Sequence, residues 1–119
     1  MKVLVTGTSG MLGTAVLKEL NKFNLFYNVV SPGPSSETDL TNTEATERLV
    51  SEHNPDIVIH LAALTSLKKC EEKPEQAWAL HAESTKVLSR SCSRIIYVST
   101  DSVFDGYSCI PYGELSNTN

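Results

Sequence analysis

The period of the apolar positions changes several times along the chain, and each change marks an element. Lys2-Val3-Leu4-Val5-Thr6 is a short run ending at Gly7, apolar on both faces as buried parallel strands are. From Leu12 the spacing turns helical: Leu12, Ala15, Val16, Leu20 and Phe23 predict a helix to about Lys22. Phe26 to Val30 reads as a second strand, closed by the turn chemistry of Ser31-Pro32-Gly33-Pro34-Ser35-Ser36. Thr41 and Glu44 are spaced as a capping box, which starts a helix near Asn42; Ala45, Leu49 and Val50 form its apolar side, and Asn54-Pro55 ends it. Asp56 to Leu61 predicts a third strand, and Leu64 to Lys73 a loop. Pro74 opens a long helix, where its missing N–H costs nothing. Trp78, His81, Thr85, Leu88 and Cys92 form one column of that helix, and Ala77, Leu80, Ser84 and Val87 the next. Arg94 to Ser99 predicts a fourth strand, and Thr100 to Asn119 is loop-like.

Strands that alternate with helices imply a parallel sheet, right-handed crossovers and a doubly wound, Rossmann-like α/β layout. At 119 residues there is room for one domain, spanning 1–119. A chain of this size buries roughly 65% of the surface that its unfolded form exposes, enough for a real core. A net charge of −4 argues against a nucleic-acid surface, which needs a basic patch. No apolar run approaches the ~20 residues that cross a bilayer, and Met1 to Val5 turns polar at Thr6, unlike a signal peptide. Neither a membrane nor a nucleic acid is therefore expected as a partner. Cys70, Cys92 and Cys109 are odd in number and widely spaced, and no C-x-x-C exists. None of His53, His60 and His81 stands at ligand spacing from another His or Cys. Reduced thiols, a cytoplasmic location and no metal site are the expectations.

Candidate chemistry begins with Gly7, Gly10 and Gly13, a G-x-x-G-x-x-G turn between the first strand and the first helix. A dinucleotide pyrophosphate is held by backbone N–H groups at a helix N-terminus, where the helix dipole favours anions. The chain must turn sharply there and let phosphates approach, which excludes side chains, and the last glycine lets the helix pack closely on the sheet. A nucleoside-triphosphate P-loop is excluded, because no G-x-x-x-x-G-K-[ST] is present.

This glycine spacing resembles the short-chain dehydrogenase/reductase superfamily, in particular its extended branch that modifies nucleotide sugars. Further segments fit that branch in order. Asp39-Leu40-Thr41 is similar to the stretch that lies beside the adenine, and His60-Leu61-Ala62-Ala63 resembles the H-x-A-A turn that backs the cofactor ribose. Cys70-Glu71-Glu72 with Pro74-Glu75-Gln76-Ala77-Trp78 resembles the C-E-x-x-P-x-x-A-W segment of one subgroup. Ser99 to Gly106 resembles the S-T-D-Y-V-F-D-G signature of dTDP-4-dehydrorhamnose reductases, and Pro111-Tyr112-Gly113-Glu114 matches the P-Y-x-E that follows it.

The resemblance implies a nicotinamide cofactor and a nucleotide-sugar substrate. It implies cofactor contacts from Gly7, Ser9, Gly10, Met11, Leu12, Gly13, Ser31, Asp39, Leu40, Leu61, Ala62, Ala63 and Ser99. It implies substrate contacts from Thr65, Asp101, Val103 and Phe104, and it makes Thr100 the catalytic hydroxyl that polarises a sugar ketone. In that family a tyrosine, its pKa lowered by a lysine in Y-x-x-x-K, delivers the proton. Here Tyr27, Tyr97, Tyr107 and Tyr112 are followed four residues on by Ser31, Asp101, Pro111 and Ser116. The pair is absent. The expectation is a dinucleotide-binding portion, incomplete at its C-terminus and inactive alone. The alternative is a non-catalytic regulatory subunit similar to that of methionine adenosyltransferase.

Two further departures stand out: His81 takes the place of the family's Asn, and Ser102 that of its Tyr. The join Ser91-Cys92-Ser93-Arg94 is short, so the long helix must end early or the strand begin late. Cofactor choice is weakly marked. The second strand ends Val30-Ser31-Pro32-Gly33, with neither the acid that selects NAD(H) nor the arginine that selects NADP(H). Nothing there repels a 2′-phosphate, so the reading leans to NADP(H). The strand order expected is 3-2-1-4. The fourth strand is then an exposed edge that invites pairing with a second copy.

Overall fold

In the computed structural model, which describes residues 1–33 and 38–118, four strands form one parallel sheet. The turn expected at Pro34-Ser35-Ser36 lies outside the described residues. β1 (Lys2–Thr6) pairs on one side with β2 (Asn28–Val30) and on the other with β3 (Ile57–His60); β3 in turn pairs with β4 (Arg94–Tyr97). The order is therefore β2-β1-β3-β4, and the expected 3-2-1-4 is overturned. The reason lies in burial. β2 is three residues long and partly exposed, too short to carry a four-residue neighbour. Val58 and His60 are fully buried and would be stranded outside it. The free side of β1 takes β3 in register from Val3↔Ile57 to Thr6↔His60. Asp56 clamps the start of that pairing: it accepts the Lys2 N–H on Oδ2 at 2.7 Å and returns its own N–H to the Lys2 carbonyl at 3.0 Å.

Right-handed crossovers then set the layers. The chain steps from β1 to β2 in one direction, then back past β1 to β3 and β4. Helix α1 (Met11–Asn21) covers one face, while α2 (Thr43–His53) and the long helix that runs from Pro74 to Arg90 pack together on the other. Asn42 caps α2 by accepting the Ala45 N–H at 3.0 Å. Thr41 is not the cap, because Asp39 Oδ1 takes both its N–H (2.9 Å) and its hydroxyl (2.7 Å). The left-handed Asn54 (φ 43°) ends α2 ahead of Pro55.

The stretch expected as loop between Leu64 and Lys73 contains a helix, α3 (Leu67–Glu72). Ser66 starts it by accepting the Lys69 N–H at 3.4 Å. Six residues are too few to show a period. α4 runs on through Pro74–Trp78, a π turn at Ala79–Glu83, and Ser84–Arg90. It ends early enough for the short join to β4. A π turn holds more residues than an α turn, so Trp78 no longer shares one face with Leu88. Trp78 is exposed and donates from Nε1 to Glu83 Oε1, five residues on, at 3.2 Å. The buried face of α4 is instead Ser84 and Leu88, flanked by Leu80.

Leu4 and Val58 from the sheet, Leu40, Leu49 and Val50 from the α2 region, and Leu88 from α4 make the core. Each such side chain contributes about 1.5–3 kcal/mol when fully buried. Among the described residues, no helix is long and apolar enough to cross a membrane, and no group of three metal-ligating side chains gathers. Cys70 and Cys92 are half-buried and Cys109 is exposed, all as free thiols.

Candidate functional site

The connections leaving β1 and β3 go to opposite faces of the sheet. The space outside the C-terminal ends of these two strands is the crevice where open α/β sheets take their ligands. The glycine turn forms one wall. Gly7 is left-handed (φ 70°), and its carbonyl accepts the Gly10 N–H at 3.1 Å. α1 starts immediately afterwards with Gly10 as N-cap and no capping side chain. The first amide to bond back is Thr14, to the Gly10 carbonyl at 2.9 Å. The N–H groups of Met11, Leu12 and Gly13 therefore have no acceptor within the helix. Ser9, Gly10, Met11 and Leu12 are exposed at this end, and Gly13 is buried under it.

The three glycines have different reasons to be glycine. A Cβ on Gly7 would lie 2.5 Å from the Ala62 nitrogen, and one on Gly13 would lie 2.1 Å from the Gly7 carbonyl oxygen. Both belong to the fold, welding the turn to β3 and α1 to the turn. A Cβ on Gly10 meets only that same oxygen, at 3.3 Å. The fold nearly tolerates a side chain there, so the clear space in front of the helix end is what that glycine keeps.

The opposite wall is the end of β3. Thr6 Oγ1 accepts the N–H groups of both Leu61 and Ala62, at 3.2 and 3.3 Å. Its own proton goes to His60 Nδ1 at 2.7 Å. His60 Nε2–H then donates to Ser84 Oγ at 3.3 Å, and the Ser84 hydroxyl donates to the Leu80 carbonyl at 2.5 Å. Because Thr6 Oγ1 already accepts two amides, its own proton goes to Nδ1, which assigns His60 as the neutral Nε2–H tautomer. Burial pushes the His60 pKa down to about 4, against a smaller upward pull from the Leu80 carbonyl and a further downward push from His81. Thr6 and Ser84 carry no mark in the sequence, and His60 is marked there only as the first residue of the H-x-A-A turn. The visible signal was a histidine inside the apolar run Asp56 to Leu61.

Because the sheet is parallel, the other expected residues also leave the C-terminal ends of strands. Ser31, just past β2, bonds through Oγ to Thr8 Oγ1 at 2.7 Å and so joins the glycine turn. Thr8 is a contact that the sequence did not mark. Asp39 is exposed but engaged by Thr41, and the Leu40 side chain faces the core, which leaves only its backbone for a ligand. Leu61 and Ala62 are half-buried, and Ala63 and Thr65 are exposed.

Ser99 and Thr100 follow β4 and are exposed. Thr100 caps a 3-10 turn, Asp101–Val103, accepting the Ser102 N–H at 3.3 Å. Phe104 stacks on Tyr112 with centroids 4.4 Å apart, and the Tyr112 hydroxyl donates to Asp105 Oδ1 at 2.5 Å, which holds that carboxyl below its usual range. The segment carrying Thr100, Asp101, Val103 and Phe104 is thus folded largely on itself.

Residues 1–119 match the RmlD substrate binding domain along their whole length. The chain belongs to that family. A dTDP-4-dehydrorhamnose reductase of Burkholderia thailandensis is 33% identical to this RmlD-family chain over 122 residues, covering 99% of the chain and 40% of that protein. The methionine adenosyltransferase 2 subunit beta of Rattus norvegicus is also 33% identical, covering 95% of this chain and 36% of its own length. Among solved structures, a dTDP-4-dehydrorhamnose reductase of Clostridium acetobutylicum superposes with a TM-score of 0.88 at 35% identity, over 100% of this chain and 43% of that one. One of Bacillus anthracis, solved in complex with NADP, gives 0.85 at 28% identity over 99% and 43%. The chain spans about 40% of the length of the relatives it matches.

Proposed function

We propose that these residues form the dinucleotide-binding part of a nucleotide-sugar reductase, taking NADP(H) in preference to NAD(H). The carrying observation is the uncapped start of α1, with Gly10 clearing its approach, set at the point where the connections from β1 and β3 part. An anion placed there gains the free amides and the helix dipole. The residues present fit a pyrophosphate, and the Thr8–Ser31 hydroxyl pair offers donors to the adjoining ribose or its 2′-phosphate. The bound nicotinamide would supply the hydride. Thr100 would supply the hydroxyl that polarises a 4-keto sugar, while Asp101, Val103, Phe104 and Thr65 would contact that sugar. The 119 residues hold no Y-x-x-x-K, so they are expected not to complete the reduction alone.

Titrating NADPH and NADH against the chain, by nicotinamide fluorescence, tests this reading. Saturable binding is expected, tighter for NADPH. Gly10→Asp is expected to remain folded, since aspartate is a good N-cap, and to weaken binding at least about tenfold (about 1.4 kcal/mol) by placing its carboxylate on the anion's amides. Absence of saturable binding, or equal affinity in Gly10→Asp, would overturn it. The likeness to the methionine adenosyltransferase subunit favours a second reading, a dinucleotide-binding regulatory module that turns nothing over. A parent reading frame that continues into Y-x-x-x-K selects the enzyme.

Among the described residues β4 is an edge strand, with Ile96, Tyr97 and Val98 exposed. We propose that it pairs there with a second copy. Sedimentation velocity is expected to show an s-value that rises with concentration, and a constant monomer would count against the pairing.

A further inference from the structure

One residue beside the crevice, Leu64, is held on both of its backbone polar groups, which belong to two successive peptides. The Leu64 N–H donates to His81 Nε2 at 2.9 Å, and the Leu64 carbonyl accepts the Cys70 S–H at 3.2 Å. The two partners come from different elements: His81 from the π turn of α4, and Cys70 from α3. Leu64 lies between Ala63 and Thr65, in the stretch that leaves β3 at the crevice. Backbone groups half-buried there must find partners, and side chains from two helices supply them.

We propose that His81 is a positioning residue of the crevice: its neutral imidazole, together with the Cys70 thiol, pins the backbone of Leu64 and so sets the wall that carries Ala63 and Thr65. The functional half of this statement rests on the dinucleotide reading above. A nitrogen that accepts an N–H carries no proton, so the His81 ring proton sits on Nδ1. Protonating Nε2 turns the acceptor into a donor aimed at another donor. The hold is lost, and the wall is released at one end. A carboxamide in this position would grip the same amide at any pH. A histidine loses the grip whenever its ring takes up a second proton. The titratable neighbours do not replace it. His60, on β3, is neutral and already bonded to Thr6 and Ser84. Cys70, on α3, points at the carbonyl rather than the N–H. Glu83, in the same π turn, is engaged by Trp78 and by Lys86 at 3.7 Å.

Amide hydrogen exchange on the 119-residue chain, followed by NMR at pH 7.5 and 5.5, reads the hold directly. The Leu64 protection factor is expected to fall at least tenfold more than those of the β3 amides, which report global opening. In His81→Gln, whose Oε1 reaches as far as Nε2 and does not titrate, Leu64 protection is expected to track β3 at both values. His81→Leu is expected to lose the protection at both. In parallel, the wild-type affinity for NADPH and NADH is expected to fall at least threefold more than that of His81→Gln over the same pH step. Leu64 protection that follows β3 in the wild type, or an equal loss in His81→Gln, would overturn the role. An intact Leu64 response with no nicotinamide binding at any pH would overturn the dinucleotide reading and leave the hold of His81 on the wall supported.

Discussion

Gly13→Ala is expected to destabilise the chain by at least about 3 kcal/mol, with a fall in Tm of more than about 10 °C in a thermal melt. The added methyl carbon would sit 2.1 Å from the Gly7 carbonyl oxygen, 2.7 Å from Thr8 Cα and 2.8 Å from the Gly7 carbonyl carbon. All three neighbours are backbone, so no side chain can rotate away. The turn cannot retreat either, because Gly7 already lies against the Leu61–Ala62 peptide on its far side. Relief would require α1 to lift off the sheet, and α1 is held on that side largely by the buried Gly13 and the partly buried Val16, Leu17 and Leu20. Gly113→Ala is the matched control: nothing lies within 4 Å of its added carbon, so Tm should stay within about a degree or two. A Gly13→Ala melt that coincides with the wild type would show that α1 does not seat on the turn as described.

Stability is also expected to fall by about 2 kcal/mol between pH 7.5 and pH 5, measured by urea unfolding. The sign follows from His60. Its folded pKa is about 4, below the ordinary 6.5, so in this window the unfolded chain takes up a proton that the folded chain refuses. The stability from keeping this imidazole neutral is fully present above pH 6.5 and is lost progressively as pH falls toward 4. The hydrogen bonds give the same direction independently. A proton on Nδ1 would face Thr6 Oγ1, which already accepts two amides, and would leave the threonine's own hydroxyl without an acceptor. The window lies above the carboxylate range, so acidic side chains contribute little to it. His60→Asn, which keeps an acceptor for Thr6 and does not titrate, should be less stable at pH 7.5 yet nearly flat down to pH 5. The same slope in wild type and variant would remove His60 as its source.

The glycine turn was readable from sequence because its requirement is local. A sharp bend, a close approach and an uncapped helix start each restrict residue type at fixed spacing, so Gly7, Gly10 and Gly13 announce themselves. The turn after β3 was readable only through its likeness to a known motif, since nothing in Leu61-Ala62-Ala63 is chemically distinctive. Thr8 beside Ser31, Thr6 beneath Leu61 and Ala62, and His81 on Leu64 were not readable at all. These pairs are separated by 23, 55 and 17 residues or more, and each contact exists only once the strands are in register. The π turn in α4 had no signal in the apolar period, and it puts Trp78 at the surface while Leu88, drawn in the same column, is buried.

By itself, then, the chain determined its element types, their alternation and the glycine turn, because period and turn chemistry act over a few residues. Which strand lies beside which was decided only in three dimensions. An apolar run such as Ile57-Val58-Ile59 specifies that it must be buried on both faces, but not by whom. β1, with a free side and a four-residue register to offer, outcompeted the three-residue β2 for that place, and the crevice between β1 and β3 is the result.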